Sequence, residues 1–328
     1  MGSREGVDVL ITAGGGGHTG YAKAIAMELQ GVRVGFIVGR GDKWSIAELK
    51  ELGEIYIVER LRGPLEGLKD VAKRTPRGLI DSTRLPRAPL LVATGSNIAI
   101  IPSLVLWAQG AKVINLEAAD RITTASRTTR ILHPISMVTV LHWREQLKLY
   151  PYRSIVVGPV YERPKYKSRD EGYILICCGS QGNPMLVKAA VEARLRNVVL
   201  QYGRRKPVDS IPSSWISFSY TLDIQYWISR AHIVVTHPGK TVIDAALAYG
   251  KPVLLVYNPE WRLTSSPEDA KELAKILNIV FIGVPTPSKL AKGLKLAEKL
   301  RPRRLPSGAP RLARIIEQLV KEFKQQEV

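Results

Sequence analysis

Short apolar runs alternate with stretches of helical periodicity along the whole chain. VDVLITA leads into YAKAIAMEL, where Ala22, Ile25, Ala26 and Leu29 share one helix face. RVGFIVG, IYIVER, LLVATG, KVINLEA, MVTVLH and SIVVGPV continue the series, with IAELKELG and IAIIPSLVLWAQG as helices between them. A second cycle begins at YILICCGSQG and runs through VKAAVEARL, NVVLQYG, WISFSY, HIVVTHPG, VIDAALAYG and PVLLVYN. Near-continuous apolar strands separated by helices mark a parallel sheet covered on both faces. The pattern therefore predicts an α/β protein with two Rossmann-like, doubly wound parallel-sheet domains facing a cleft. The charged, proline-containing joint GPVYERPKYKSRDEG divides it into residues 1–160 and 161–328. Behind the breaker-rich RPRRLPSGAPR, LARIIEQLVKEFK predicts a last amphipathic helix over about 309–326, expected to pack back on the first domain.

Both halves open with a strand, a glycine turn and a helix. TAGGGGHTG places four consecutive glycines at the end of the first strand, where the backbone can approach a ligand closely. The helix start behind them offers N–H groups that favour negative charge. These residues alone leave two readings open. Gly15, Gly17 and Gly20 satisfy GxGxxG, with Asp42 where a ribose-binding acid stands in a dinucleotide fold. In the other reading the turn serves sugar transfer and His18 takes part in the chemistry. In the second half GSQG and THPGKT both follow strands, and either suits a diphosphate held by backbone N–H groups. PGKT is not a Walker-type motif, because Val234 occupies the position of its first glycine.

Composition narrows the partners. Against 29 Asp+Glu stand 48 Lys+Arg, a net charge of +19, which attracts nucleic acid, anionic membrane or phosphorylated substrates. The charge is spread over both halves, which weakens the nucleic-acid case, and a thermophile's basic surface is a plainer alternative. Cys177 and Cys178 are adjacent on a strand and point to opposite faces, so no mutual disulfide is expected and a reducing compartment follows. His18, His133, His142, His232 and His237 show no metal-ligand spacing. With no signal-peptide pattern and no apolar run near 20 residues, the expectation is a cytosolic chain, at most lying on a membrane.

The order of these motifs resembles the GT-B glycosyltransferases that move N-acetylglucosamine from UDP-GlcNAc to a polyisoprenyl-pyrophosphate sugar. GSQG looks like the donor loop of the MurG-like enzymes, and GGGGHTG like the glycine-rich acceptor-side loop of the same family. The stretch from TGSNIAIIPSLVLWAQG to LHWREQLKLYP is similar to the membrane-recruiting subunit of the eukaryotic dolichol-pathway transferase. LQYG and HIVVTHPGKTVIDAALAYGKPVLLVYNP resemble its catalytic partner, so the chain reads as an archaeal-type fusion of the two.

The resemblance implies an inverting transfer in N-glycan precursor assembly, at the inner face of the cell membrane. Its catalytic candidates are His18 and Glu117, and its acceptor-side residues are Gly15, Gly16, Gly17, Thr19, Arg121 and Ser126. Donor contacts fall on Gly179, Ser180, Gln181, Gly182, Tyr202, His237, Gly239, Lys240, Thr241, Asp244 and Asn258. UDP-GlcNAc is the implied donor, a lipid-linked sugar the acceptor and an anionic membrane the partner surface. No cofactor, obligatory metal or nucleic acid is expected. The chain departs from the family where His237-Pro238-Gly239-Lys240-Thr241 replaces His-Ala-Gly-Ala-Gly, where Asp244 replaces a glutamate, and where Asp269-Ala270 replaces a His-Gln pair. Lys240 offers compensation by facing the diphosphate.

Each role has a plainer alternative. His18 can be a helix-start residue bonded to backbone, Glu117 can pair with Arg121 at i,i+4 spacing, and His237 can be an ordinary loop residue. The basic stretch 60–89, studded with Leu61, Leu65, Leu68, Leu79 and Ile80, suits a membrane-facing surface or an ordinary solvated helix. A nicotinamide enzyme, a non-catalytic sugar-nucleotide-binding protein and a same-fold UDP-GlcNAc epimerase remain as rivals. For the epimerase no full set of acidic catalytic residues is present.

Overall fold

A computed structural model describes residues 6–62, 68–205, 211–260 and 265–326. The chain folds into two compact units. Unit 1 comprises Met1–Ala119, Ala125–Glu162 and Ser307–Val328, and unit 2 comprises Asp120–Thr124 and Arg163–Pro306. The chain thus passes from unit 1 into unit 2 for five residues, returns, and crosses again after Glu162.

Unit 1 is built on seven parallel strands: β1 (Val9–Ala13), β2 (Val34–Gly39), β3 (Glu54–Val58), β4 (Leu90–Ala93), β5 (Lys112–Leu116), β6 (Val138–Leu141) and β7 (Ser154–Val156). Their order is β3-β2-β1-β4-β5-β6-β7. Every residue of β1, β2 and β4 is buried, which is why those runs carry no polar alternation. The last helix, Ala309–Gln326, buries Leu312, Ala313, Ile316 and Val320. Its Glu317 accepts from the Gln30 amide, and Lys324 lies 2.9 Å from Asp8.

Unit 2 has six parallel strands: β8 (Ile174–Cys177), β9 (Val198–Gln201), β10 (Ile216–Phe218), β11 (Ile233–Thr236), β12 (Val253–Val256) and β13 (Val280–Ile282). They are ordered β10-β9-β8-β11-β12-β13. The doubly wound α/β architecture read from the sequence is borne out. The strand series read above stops at PVLLVYN, whereas the structure adds β13, three half-buried residues too short for a periodicity signal. From Arg163 onward the joint is bonded to unit 2: Arg169 and Glu171 amides donate to Ser229 and Arg230 carbonyls, and Lys251 Nζ donates to the Arg169 carbonyl. Cys177 and Cys178 are both free and buried.

In each sheet the strand order reverses direction between two paired central strands, β1 with β4 and β8 with β11. Loops leaving the carboxyl ends of such a pair splay to opposite faces, and the gap between them is where open α/β sheets bind ligands. All the glycine turns singled out above leave one of these four strands.

Candidate functional site

At the first switch, Gly15 and Gly16 carry φ of 56° and 53°, values that favour glycine, and the helix Gly17–Ala26 starts directly behind them. The Gly15 amide donates to Asp42 Oδ2 at 3.0 Å, and Asp42 Oδ1 accepts the Ser45 amide to cap the helix Lys43–Leu49. Asp42 therefore anchors the glycine turn through one oxygen and a helix through the other, which is not the ribose-binding task of the dinucleotide reading. Thr19 is fully buried and bonds Ser45 Oγ at 2.7 Å, so its hydroxyl is structural.

His18 is half-buried, and its Nδ1 lies 2.7 Å from the Thr94 carbonyl at the end of β4. A carbonyl only accepts, so the neutral imidazole carries its proton on Nδ1 and its basic lone pair on Nε2. The bond to backbone foreseen by the plainer reading thus also fixes the tautomer a general base requires. Gly95, which the sequence reading passed over, makes room for the ring: a Cβ there would stand 2.8 Å from His18 Cε1, at a φ of +97°. The signal was a glycine directly behind the strand LLVAT.

Glu117 has a different place from the one expected. It is fully buried, its Oε2 accepts from Tyr150 Oη at 2.5 Å and the Ser126 amide at 3.0 Å, and its Oε1 accepts from the Ala118 amide at 2.7 Å. Burial pushes its carboxyl above the usual range, against the pull of these bonds. A carboxylate enclosed in this way closes the loop after β5. Ser126 belongs to the same closure and caps the helix Arg127–Leu132, while Arg121 Nη1 donates to Thr124 Oγ1. His142, also buried, bonds the Glu117 carbonyl through Nε2 and accepts the Val160 amide on Nδ1, and desolvation lowers its pKa to about 4.

Asp269, which stands where the family's His-Gln pair is expected, is likewise structural. Its buried carboxylate accepts from the Ile122, Thr123 and Thr124 amides, from both threonine hydroxyls, and from the Ser266 amide. Burial pushes its pKa up, but the bonds from Thr124, Ser266, Thr123 and Ile122 outweigh that and hold it below the ordinary range. This one side chain secures the Asp120–Thr124 excursion within unit 2.

At the second switch, β8 and β11 pair with Cys177 opposite Thr236, so the GSQG and THPGKT loops leave from adjacent positions. Gly179 and Gly182 have φ of 67° and 87°. Among the described residues, the amides of Gly179, Ser180, Gln181 and Gly182 donate no hydrogen bond. Gln201 Nε2 donates to the Gly179 carbonyl, and Arg204 donates its amide to the Ser180 carbonyl. Gly203 lets the turn lie flat: a Cβ on it would stand 2.4 Å from the Gly179 oxygen. Sequence reasoning reached Tyr202 and missed Gly203. Tyr202 itself packs on the apolar core of unit 2.

His237 bonds the Cys177 backbone, and burial outweighs that bond to lower its pKa to about 4, so the ring is neutral at physiological pH. Gly239, with φ of 145°, opens the short helix Lys240–Ile243, which includes Thr241. Lys240 Nζ lies 2.5 Å from Asp244 Oδ2, so the two residues expected to face a ligand separately face one another. Asn258 follows β12, is buried, and accepts the Glu260 amide on Oδ1, and its Nδ2 has no partner among the described residues. On the basic stretch, Leu79 and Ile80 are exposed, whereas Leu65 lies outside the described residues.

Residues 173–317 match the family model described as the glycosyltransferase family 28 C-terminal domain. No curated protein sequence gives a significant match. Among solved structures, MurG of Acinetobacter baumannii is similar at a TM-score of 0.60 and 16% identity, over 95% of this chain and 99% of that one. A putative UDP-N-acetylglucosamine 2-epimerase from Listeria monocytogenes gives 0.68 at 13% identity, over 98% and 97%. Anabaena HepE, solved with UDP and glucose, gives 0.58 at 12% identity, over 97% and 99%. The chain therefore has the two-domain fold shared by GT-B glycosyltransferases and these epimerases, and its residues 173–317 are similar to the glycosyltransferase family 28 C-terminal domain.

Proposed function

We propose that the protein is an inverting glycosyltransferase that moves GlcNAc from UDP-GlcNAc to a polyisoprenyl-pyrophosphate-linked sugar, in the assembly of a dolichyl- or polyprenyl-linked N-glycan precursor. The observation that carries this reading is the family 28 domain, whose two glycine turns flank the switch of its own sheet. Unit 2 holds the nucleotide diphosphate on the amides of Gly179 to Gly182 and stabilises it as the leaving group. The acceptor hydroxyl attacks the anomeric carbon, the bond to the diphosphate oxygen breaks, and the hydroxyl proton passes to His18 Nε2. The Nδ1–H bond to Thr94 holds the imidazole in the required tautomer and stabilises the imidazolium that forms. Glu117, Thr19, Ser126 and Tyr202 support the fold and touch no substrate in this account. The helix Leu68–Thr83 carries exposed Lys73 and Arg77 beside Leu79 and Ile80, a composition suited to peripheral docking on the anionic inner face of the cell membrane.

The test is an incubation of the protein with radiolabelled UDP-GlcNAc, with and without a defined polyprenyl-pyrophosphate sugar. Transfer of label to the lipid phase is expected only with acceptor. Label that stays water-soluble as an epimerised sugar nucleotide, without need of acceptor, would instead assign the activity of the epimerase-like neighbours.

A further inference from the structure

The Lys240–Asp244 pair is not explained by stability. A lysine placed four residues before an acid is the less favourable order for a helical pair, and a cation at a helix start opposes the backbone dipole. The pair is also largely out of water, with the lysine side chain 15% exposed and the aspartate 3%. Burying an ion pair there gains little over apolar residues of the same size. From Asp244 to Ala248 the helix widens to π geometry, a distortion that concentrates at functional sites.

Its position is informative. Lys240 follows the turn that leaves β11, and β11 lies between β8 and β12. The GSQG amides leave from the β8 side, and Asn258, whose buried Nδ2 has no partner among the described residues, lies on the β12 side. Thr236 is opposite both Cys177 and Leu255, so the turns that follow the three strands leave the same edge of the sheet. The carboxyl edge of this sheet thus gathers hydrogen-bond donors, while the lysine standing among them is paired with a carboxylate.

We propose that Lys240 and Asp244 form a charge latch: closed on itself without ligand, it opens when the lysine ammonium passes from the Asp244 carboxylate to the diphosphate of a nucleotide. The proposal rests on the nucleotide-sugar reading of unit 2. It assigns Asp244 the task of restraining Lys240, so that free phosphates alone are bound weakly. Removing the carboxylate takes away this ion pair's hold on the lysine, and a gain of affinity follows where a loss would be the ordinary result.

Calorimetry on the full chain with inorganic pyrophosphate and with UDP tests this. Asp244→Asn is expected to tighten pyrophosphate binding about tenfold, the size of one charge-assisted hydrogen bond. Lys240→Met is expected to weaken UDP binding by about tenfold or more, and the double variant to lose the pyrophosphate gain. A gain cannot arise from misfolding, so an unfolded variant cannot imitate it. If the wild type binds UDP and Asp244→Asn gains nothing for pyrophosphate, the latch is overturned and the nucleotide-sugar reading stands. If pyrophosphate binding tightens but UDP binds to no variant, the nucleotide-sugar reading falls and the latch, as a nucleotide device, falls with it. No binding of either ligand to any variant removes both.

Discussion

The glycine turns after β1 and after β8 are the same backbone device with opposite electrostatics. Each leaves a central strand of a parallel sheet, uses two glycines at positive φ and runs into a helix beside the switch. The first is anchored by a carboxylate, Asp42, and carries a histidine tied to the neighbouring strand end. The second is anchored by the neutral amide of Gln201 and by the room Gly203 leaves, with its own amides undirected. A carboxylate bonded into a turn repels a phosphate, whereas unspent amides attract one. The same fold element thus holds a histidine in one unit and suits an anion in the other.

The largest effect is expected from the histidine of the first turn. His18→Ala should lower turnover by about 10²–10⁴-fold, the range for loss of a general base, and leave UDP affinity unchanged. Steady-state transfer rates beside UDP calorimetry check this. Near-wild-type turnover would take His18 out of the chemistry and leave the first turn only a structural corner.

The comparison also exposes what residue order conceals. Glycines at strand-to-helix turns are readable because backbone geometry demands them locally, so GGGGHTG and GSQG were found without a structure. The plainer reading of Glu117 named Arg121 as its partner, whereas its enclosure depends on Tyr150 and Ser126, which nothing in the local pattern ties to it. Asp269 had the same obscurity: three of its amide donors lie 145–147 positions away. Gly95 and Gly203 left a signal, a glycine straight after an apolar strand, that gains meaning only once the side chain or turn packed on it is known.

A second, smaller effect concerns acid stability. His142 is held neutral by burial, with its pKa lowered from 6.5 to about 4. The unfolded chain binds this proton more readily, so the stabilisation is complete above about pH 6.5 and is lost as pH falls towards 4. The loss amounts to about 3 kcal/mol. Urea unfolding of wild type and His142→Gln at pH 7, 5.5 and 4.5 checks it. The variant should start less stable yet show a visibly flatter decline, and parallel declines would assign the acid sensitivity elsewhere.

The comparison itself is tested most directly by hydrogen–deuterium exchange of the full chain with and without UDP. Slower exchange is expected in peptides spanning 178–183 and 237–245, with no change over 14–20 and loss of the effect in Gly203→Ala, whose Cβ would stand 2.4 Å from the Gly179 oxygen. Protection over 14–20 with none at 178–183 would contradict it, and would place the nucleotide on the carboxylate-anchored turn instead.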